Sequence, residues 1–171
     1  MLSKNMQNAI NHQINAELYS SYLYAAMSMY FESVDMSGAA KWMNSQAQEE
    51  LVHADKFMNY LNERDARVIL DAIKKPPVEW KSVLDAFEDA LEHEKKVSSL
   101  INNLVTLARE ESDHMTDNFL QWYVAEQVEE ESSVGEVVRK LKLIGDSGGG
   151  KFMIDNELGQ RVFNPATNSG E

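Results

Sequence analysis

Asp65-Ala-Arg-Val-Ile-Leu-Asp-Ala-Ile-Lys-Lys-Pro-Pro-Val-Glu-Trp-Lys81 divides the chain into two unlike stretches. Pro76 and Pro77 are two of its three prolines, and the third is Pro165. The stretches 1–75 and 78–164 therefore contain none. Long runs without breakers, rich in Ala, Leu, Met, Glu, Gln and Lys, favour helix. The pattern predicts four long helices, over about 4–32, 37–64, 82–111 and 113–144. Ser37 and Ser82 are the expected N-caps of the second and third, with Asp85 in the third helix's first turn. Gly145 is the expected C′ residue of the fourth. A glycine linker over 145–150 precedes a short fifth helix at about 151–159 and a tail over 160–171.

The connections set the topology. A few residues join the first helix to the second and the third to the fourth, so each pair is antiparallel. The link between the second and third is far longer, and a structureless link of that length needs a reason. A helix of ~30 residues is ~45 Å long. The residues of 65–81, extended at ~3.3 Å each, reach ~56 Å. The link can run the whole bundle, which leaves the second and third helices parallel. The expected fold is all-α, a four-helix bundle with one long crossover and a short fifth helix.

The chain of 171 residues suits one domain over 1–171, and 43% of it is apolar, enough for a packed core. Lys plus Arg total 16 against 28 for Asp plus Glu, a net charge of −12. So acidic a chain is a poor partner for a phosphate backbone, and no nucleic acid is expected. With no cysteine, disulfide scaffolds, thiolate zinc sites and iron–sulfur clusters are excluded. That usage fits a reducing cytosol, and a cytoplasmic setting is expected. The opening Met1-Leu-Ser-Lys-Asn-Met-Gln lacks an apolar core of the secretory kind. No stretch has the ~20 apolar residues of a membrane span.

Helical spacing exposes an anomaly. The first helix presents Ile10, Ile14, Glu17, Ser21, Tyr24, Met27 and Phe31 on one stripe. The second presents Ala39, Met43, Gln46, Glu50, His53, Phe57 and Tyr60. The third presents Val83, Phe87, Ala90, Glu94, Val97, Ile101 and Leu104. The fourth is expected to present Phe119, Trp122, Glu126, Glu130, Val137, Leu141 and Ile144. Each core stripe is thus interrupted by a carboxylate. Buried carboxylates facing one another are costly unless paired. No basic residue lies on these stripes near the acids, so a multivalent cation is the expected partner. Oxygen ligands with one imidazole suit iron or manganese, and zinc less exclusively. Glu50 and His53 are spaced i, i+3, and Glu126 and Glu130 i, i+4, as neighbours on one helix face are. Glu49 adjoins the first pair, and Glu129 lies between the second. Glu131 is expected on a solvated face, and His12, His93 and His114 at the surface or its boundary. The methionines are expected as core filler.

Three motifs carry a resemblance. Ala16-Glu-Leu-Tyr-Ser-Ser-Tyr-Leu-Tyr24, Gln48-Glu-Glu-Leu-Val-His53 and Asn118-Phe-Leu-Gln-Trp-Tyr-Val-Ala-Glu-Gln-Val-Glu-Glu-Glu131 resemble those of prokaryotic non-haem ferritins. The likeness covers nearly the whole chain, including the Pro-Pro crossover and Phe152-Met-Ile-Asp-Asn-Glu-Leu158. It implies an iron-storage shell of 24 subunits with a ferroxidase centre in each bundle. There, Fe(II) is oxidised by O2 or H2O2 and stored as ferric mineral. By position, Glu17, Glu50 and His53 match the first iron site. Glu94 and Glu130 match the second, with Glu50 bridging. Glu49, Glu126, Glu129 and Glu130 match a third site, Tyr24 and Gln127 are supporting positions, and Trp122 is an aromatic beside the centre. The fifth helix lines the four-fold axis in that family, and Asp117 is a candidate pore residue.

Departures from neighbouring families narrow the resemblance. Bacterioferritin repeats Glu-x-x-His on the fourth helix, but the residue three after Glu130 is Ser133. Its haem-ligand methionine follows the second helix's metal glutamate, where this chain has Leu51, so no haem is expected. Rubrerythrin-like proteins add a cysteine-ligated iron domain. Miniferritins lack this fifth helix and build their site between subunits. From the residues alone, two rivals remain. One is an acidic structural bundle without redox chemistry. The other is a di-metal oxygenase or peroxidase, a class that usually carries two Glu-x-x-His motifs.

Overall fold

A computed structural model describes residues 2–163. Five helices follow one another: α1 Lys4–Ser33, α2 Ser37–Glu63, α3 Val83–Glu110, α4 His114–Ile144 and α5 Gly148–Leu158. No strand occurs among the described residues. Ser3 caps α1 by accepting from Met6 N, and Ser82 caps α3 by accepting from Asp85 N. Asp113 does the same for α4 through Thr116 N. The expected Ser37 cap is corrected: Met36 holds the cap position without a side-chain bond, and Ser37 is already helical. Gly145 ends α4 at φ 55°, in the left-handed region that glycine adopts without a Cβ clash.

Side-chain bonds fix the helix directions. Ser21 Oγ donates to Ala47 O at 2.7 Å and Ser28 Oγ to Ala40 O at 2.8 Å, so α1 and α2 are antiparallel. The crossover is tied down along α1. Gln7 Nε2 donates to Arg67 O, Asn15 Nδ2 to Asp71 O, and Tyr30 Oη to Trp80 O. Asn11 Oδ1 accepts from Ile69 N at 2.7 Å. The link therefore starts at the N-terminal end of α1 and finishes at its C-terminal end. Because α2 begins where α1 ends, α3 starts beside the start of α2 and runs parallel to it. This is the crossover bundle that the length of 65–81 predicts.

The apolar core has two halves. One gathers Leu23, Met27, Phe31, Trp42, Met43, Phe87 and Val138. The other gathers Ile10, Ile14, Phe57, Ile101, Leu120 and Tyr123. Phe57 and Tyr123 stack at 4.0 Å between centroids, and Tyr60 and Phe119 at 3.8 Å. Each fully buried large apolar side chain contributes about 1.5–3 kcal/mol by leaving water. Between the halves, the buried residues change to Glu17, Glu50, His53, Glu94, Gln127 and Glu130.

The fifth helix differs from the expected span. It begins at Gly148, so only 145–147 remains as a link. Ser147 Oγ caps it through Gly150 N at 3.2 Å. Gly150 packs so close to Ile144 that a Cβ would sit 2.9 Å from the Ile144 Cβ. On α2, a Cβ at Gly38 would lie 1.7 Å from Asp155 O. Only glycine allows α5 this seat, which the Asp155 carboxylate secures by accepting from Ala39 N at 2.8 Å. Residues 164–171 of the expected tail, Pro165 among them, lie outside the described residues. Among the described residues no helix is long and apolar enough to cross a membrane.

Candidate metal centre

The stripes of α1, α2 and α3 bury the acids that the spacing marks. Glu17, Glu50, His53, Glu94 and Glu130 are each at most 4% exposed. Ligand atoms of Glu17, Glu50 and His53 lie within 4.8 Å of one another, and so do those of His53, Glu126 and Glu130. His53 belongs to both groups. Its Nδ1 is 3.4 Å from Glu50 Oε2, and its Nε2 is 3.8 Å from Glu126 Oε1. The second distance is too long for a hydrogen bond. His53 Nε2 and Glu17 Oε2 are buried without a hydrogen-bond partner. Such orphaned atoms are costly in a core and suit a cation.

Oxygens of Glu17, Glu94 and Glu130 are held by neutral donors. Gln13 Nε2 donates to Glu17 Oε1 at 2.9 Å, and Gln46 Nε2 to Glu130 Oε2 at 2.7 Å. Tyr24 Oη donates to Glu94 Oε1. Gln127 Nε2 reaches Glu94 Oε2 at 3.2 Å. Tyr123 Oη donates to the backbone oxygen of His53 at 2.8 Å, which pins that turn of α2. Trp122 meets the His53 ring edge-on at 5.3 Å and carries the Lys56 ammonium on its face. Gln13, Gln46, Tyr24 and Gln127 thus orient carboxylates without bringing a charge to neutralise them.

The electrostatics follow. Burial lifts the carboxyls of Glu17, Glu50 and Glu94 above their ordinary 4.5. Glu130, buried and facing Glu94 and Glu49, is pushed up to about 8. Burial opposes a charge on His53, but Glu126, Glu50 and Glu17 outweigh it and raise the imidazole well above 6.5. Burial and the Glu94 charge also raise the Tyr24 phenol. A cluster that draws in protons this way has an unmet demand for positive charge.

The centre communicates with a pocket of about 410 Å³ between α2, α4 and α5. Glu49, Glu126, Glu129 and Glu130 all line it. Glu130 thus faces both the buried group and the open pocket.

Similarity to known proteins bears on this arrangement directly. The family described as Ferritin-like domain matches residues 7–144. A bacterial non-heme ferritin of Bacteroides fragilis is 46% identical over 161 residues, 94% of this chain and all of that one. The chain belongs to the ferritin family. A closed form of the Archaeoglobus fulgidus ferritin, engineered by site-directed mutagenesis, superposes with a TM-score of 0.95 at 49% identity. That match covers 96% of this chain and all of the other. The open-pore ferritin of the same archaeon gives 0.94 at 49% identity, with 95% and 100% covered.

The geometry of this ferritin corrects three expectations. Glu130, Val137 and Leu141 of the expected α4 stripe are buried, but ahead of them the buried residues are Thr116, Leu120, Tyr123 and Gln127, one step round from the expected Phe119, Trp122 and Glu126. Phe119, Trp122, Glu126 and Ile144 are therefore only half-buried, and Glu129 is exposed. The same rotation turns Glu131 towards α3, where it accepts from Ser98 Oγ at 2.6 Å instead of facing solvent. Glu49 has a basic partner after all: Arg161 Nη2 stands 2.5 Å from its Oε2. That cation comes from beyond α5, where no stripe of the four long helices could reveal it. His12 and His114 are exposed as expected. His93 is a boundary residue, half-buried and bonded to Ser20 Oγ at 2.8 Å.

Gln13 is absent from the expected site, and Gln46 is expected only as a member of the second helix's core stripe. Gln13 precedes Glu17 by four residues and Gln46 precedes Glu50 by four, each one turn earlier on the same buried face. A glutamine one turn before a core glutamate was the available signal.

Proposed function

We propose that this ferritin is a ferroxidase that stores iron. Glu17, Glu50 and His53 hold one Fe²⁺. Glu94 and Glu130 hold a second, with Glu50 between the two. Glu50 suits the bridging place because, besides its burial, Glu94 and Glu17 both disfavour its charge. The observation that carries the reading is the orphaned pair, Glu17 Oε2 and His53 Nε2, inside a buried carboxylate belt.

The ligands set the chemistry. Hard carboxylate oxygens favour Fe³⁺ over Fe²⁺ and so ease oxidation. Two Fe²⁺ give up one electron each. O2 takes both electrons with two protons and leaves as H2O2, which can oxidise two further Fe²⁺ and end as two waters. The protons that Glu130 and His53 hold before iron binds are displaced as it enters. Gln13, Gln46, Tyr24 and Gln127 keep the carboxylates oriented through the cycle. With only one imidazole among the ligands, Fe³⁺ is free to move on.

Glu49, Glu126 and Glu129 form an outer site that shares Glu130 with the centre and lies on the path to the pocket. Ferric product collects as oxo-hydroxide mineral inside a shell of 24 copies of this single domain, with α5 at an interface between them. Phe152 and Met153 support that place for α5, since both are large, apolar and exposed. The lack of cysteine fits a cytoplasmic setting.

Fe²⁺ loading in air followed by size-exclusion chromatography tests this. A large particle that carries iron absorbance is expected. A small particle free of iron favours the structural bundle, and a small particle that consumes O2 favours an oxygenase.

A further inference from the structure

Arg161 lies just beyond α5, at the lip of the acidic pocket. Its Nη2 is 2.5 Å from Glu49 Oε2, and its guanidinium carbon is 4.4 Å from the centroid of the Trp42 ring. The two side chains are 23% and 13% exposed, so the pair is largely withdrawn from water. Several contacts build its position. Arg161 N donates to Leu158 O at 3.2 Å. Lys41 Nζ donates to Gly159 O at 2.8 Å, and Asp155 ties the start of α2 to α5.

We propose that Arg161 is a tethered counter-cation that occupies Glu49 and must be displaced before a divalent cation can use that carboxylate. This rests on reading Glu49, Glu126 and Glu129 as the outer iron site. Arg161 and a divalent cation compete for one carboxylate. A guanidinium does not deprotonate at any pH of interest, so it cannot yield by losing its charge. It yields only by swinging away, giving up both the ion pair and the Trp42 face. Every cation that takes Glu49 bears that loss. Glu17 and Glu94 have no such competitor, because their bonded donors are neutral. The device therefore orders filling: the buried centre takes iron first, and the outer site accepts it only at higher concentration.

A plain structural role would also place Arg161 here, as a pin between α5 and α2. Metal binding separates the two. Zn²⁺, which is redox-inert, is titrated by calorimetry into the assembled full-length protein and into Arg161→Gln, Arg161→Lys, Glu49→Gln and Arg161→Gln/Glu49→Gln. Wild type is expected to show tight events from the buried centre and one weaker outer event. In Arg161→Gln the outer event tightens by up to about fivefold, the upper range for losing one such pair. Arg161→Lys keeps a cation and falls between the two. The outer event disappears from both proteins that carry Glu49→Gln. An outer event in Arg161→Gln of equal or weaker affinity than wild type, with particle size and helix content unchanged, would overturn the proposal. Absence of the tight events from wild type is a different failure, that of the buried centre, and takes this inference with it.

Discussion

Tyr24 on α1 donates its phenolic hydrogen to Oε1 of Glu94 on α3. Gln127 of α4 approaches the other oxygen of the same carboxylate, so Glu94 is fixed from two helices. Tyr24→Phe keeps the buried ring but frees Oε1. Loss of such a supporting bond typically lowers metal affinity by about 10- to 100-fold. Competition binding with Co²⁺ at the buried centre should show a loss in that range, with the thermal midpoint nearly unchanged. Unaltered affinity would remove Tyr24 from the account.

The acid belt is costly to the metal-free fold. Glu130 sits near 8 when folded and near 4.5 when free, so the unfolded chain loses this proton first as pH rises. Its contribution to stability is complete below about 4.5 and is lost as pH climbs towards 8. Glu17, Glu50, Glu94 and His53 are raised as well and act in the same sense. The metal-free protein should therefore melt at lower temperature at pH 8 than at pH 5. Glu130→Gln should flatten that slope and raise the pH 8 midpoint by about 2–4 °C for each kcal/mol relieved. Scanning calorimetry decides it, and a lower midpoint in the variant at pH 8 counts against a strained carboxylate.

Proton release gives a second check on the same groups. A cation entering the belt displaces the protons that Glu130 and His53 hold at neutral pH. Zn²⁺ titrations at pH 7, in buffers of different ionisation enthalpy, should report net release of protons. Apparent affinity should rise from pH 6 to pH 8. No dependence on buffer would mean that the belt is already ionised before metal arrives.

The fold was legible because its signals are repeated along the chain. Pro76 and Pro77 leave two long proline-free runs, and the reach of 65–81 allows parallel second and third helices. Glu94 stood out because apolar neighbours bracket it at helical spacing, and Glu17, Glu50 and His53 because they fall on the stripes that carry the other core residues. The fourth helix was harder to read. Glu126, Gln127, Glu129, Glu130 and Glu131 lie within six positions, and a small rotation decides which are buried. Packing of Leu120, Tyr123 and Val134 settles that rotation, and the polar run itself does not encode it. The Arg161–Glu49 pair was illegible for another reason. It joins residues far apart in sequence through the seating of α5, which depends on the absence of a side chain at Gly38.

That seating is itself testable. Gly38→Val drives a side chain into the Asp155 backbone and should dislodge α5 while the four long helices persist. Hydrogen exchange in α5 should accelerate strongly, with little change in α1 or α3. Unchanged protection of α5 would show that its contact with α2 does not hold it.

The central claim is that the buried belt oxidises Fe²⁺. Stopped-flow absorbance after mixing Fe²⁺ with air-saturated protein measures this directly, in wild type, His53→Ala and Glu94→Ala. The account predicts a fast phase in wild type and its loss in both variants, with shells of normal size. Oxidation at the wild-type rate in both variants would contradict it.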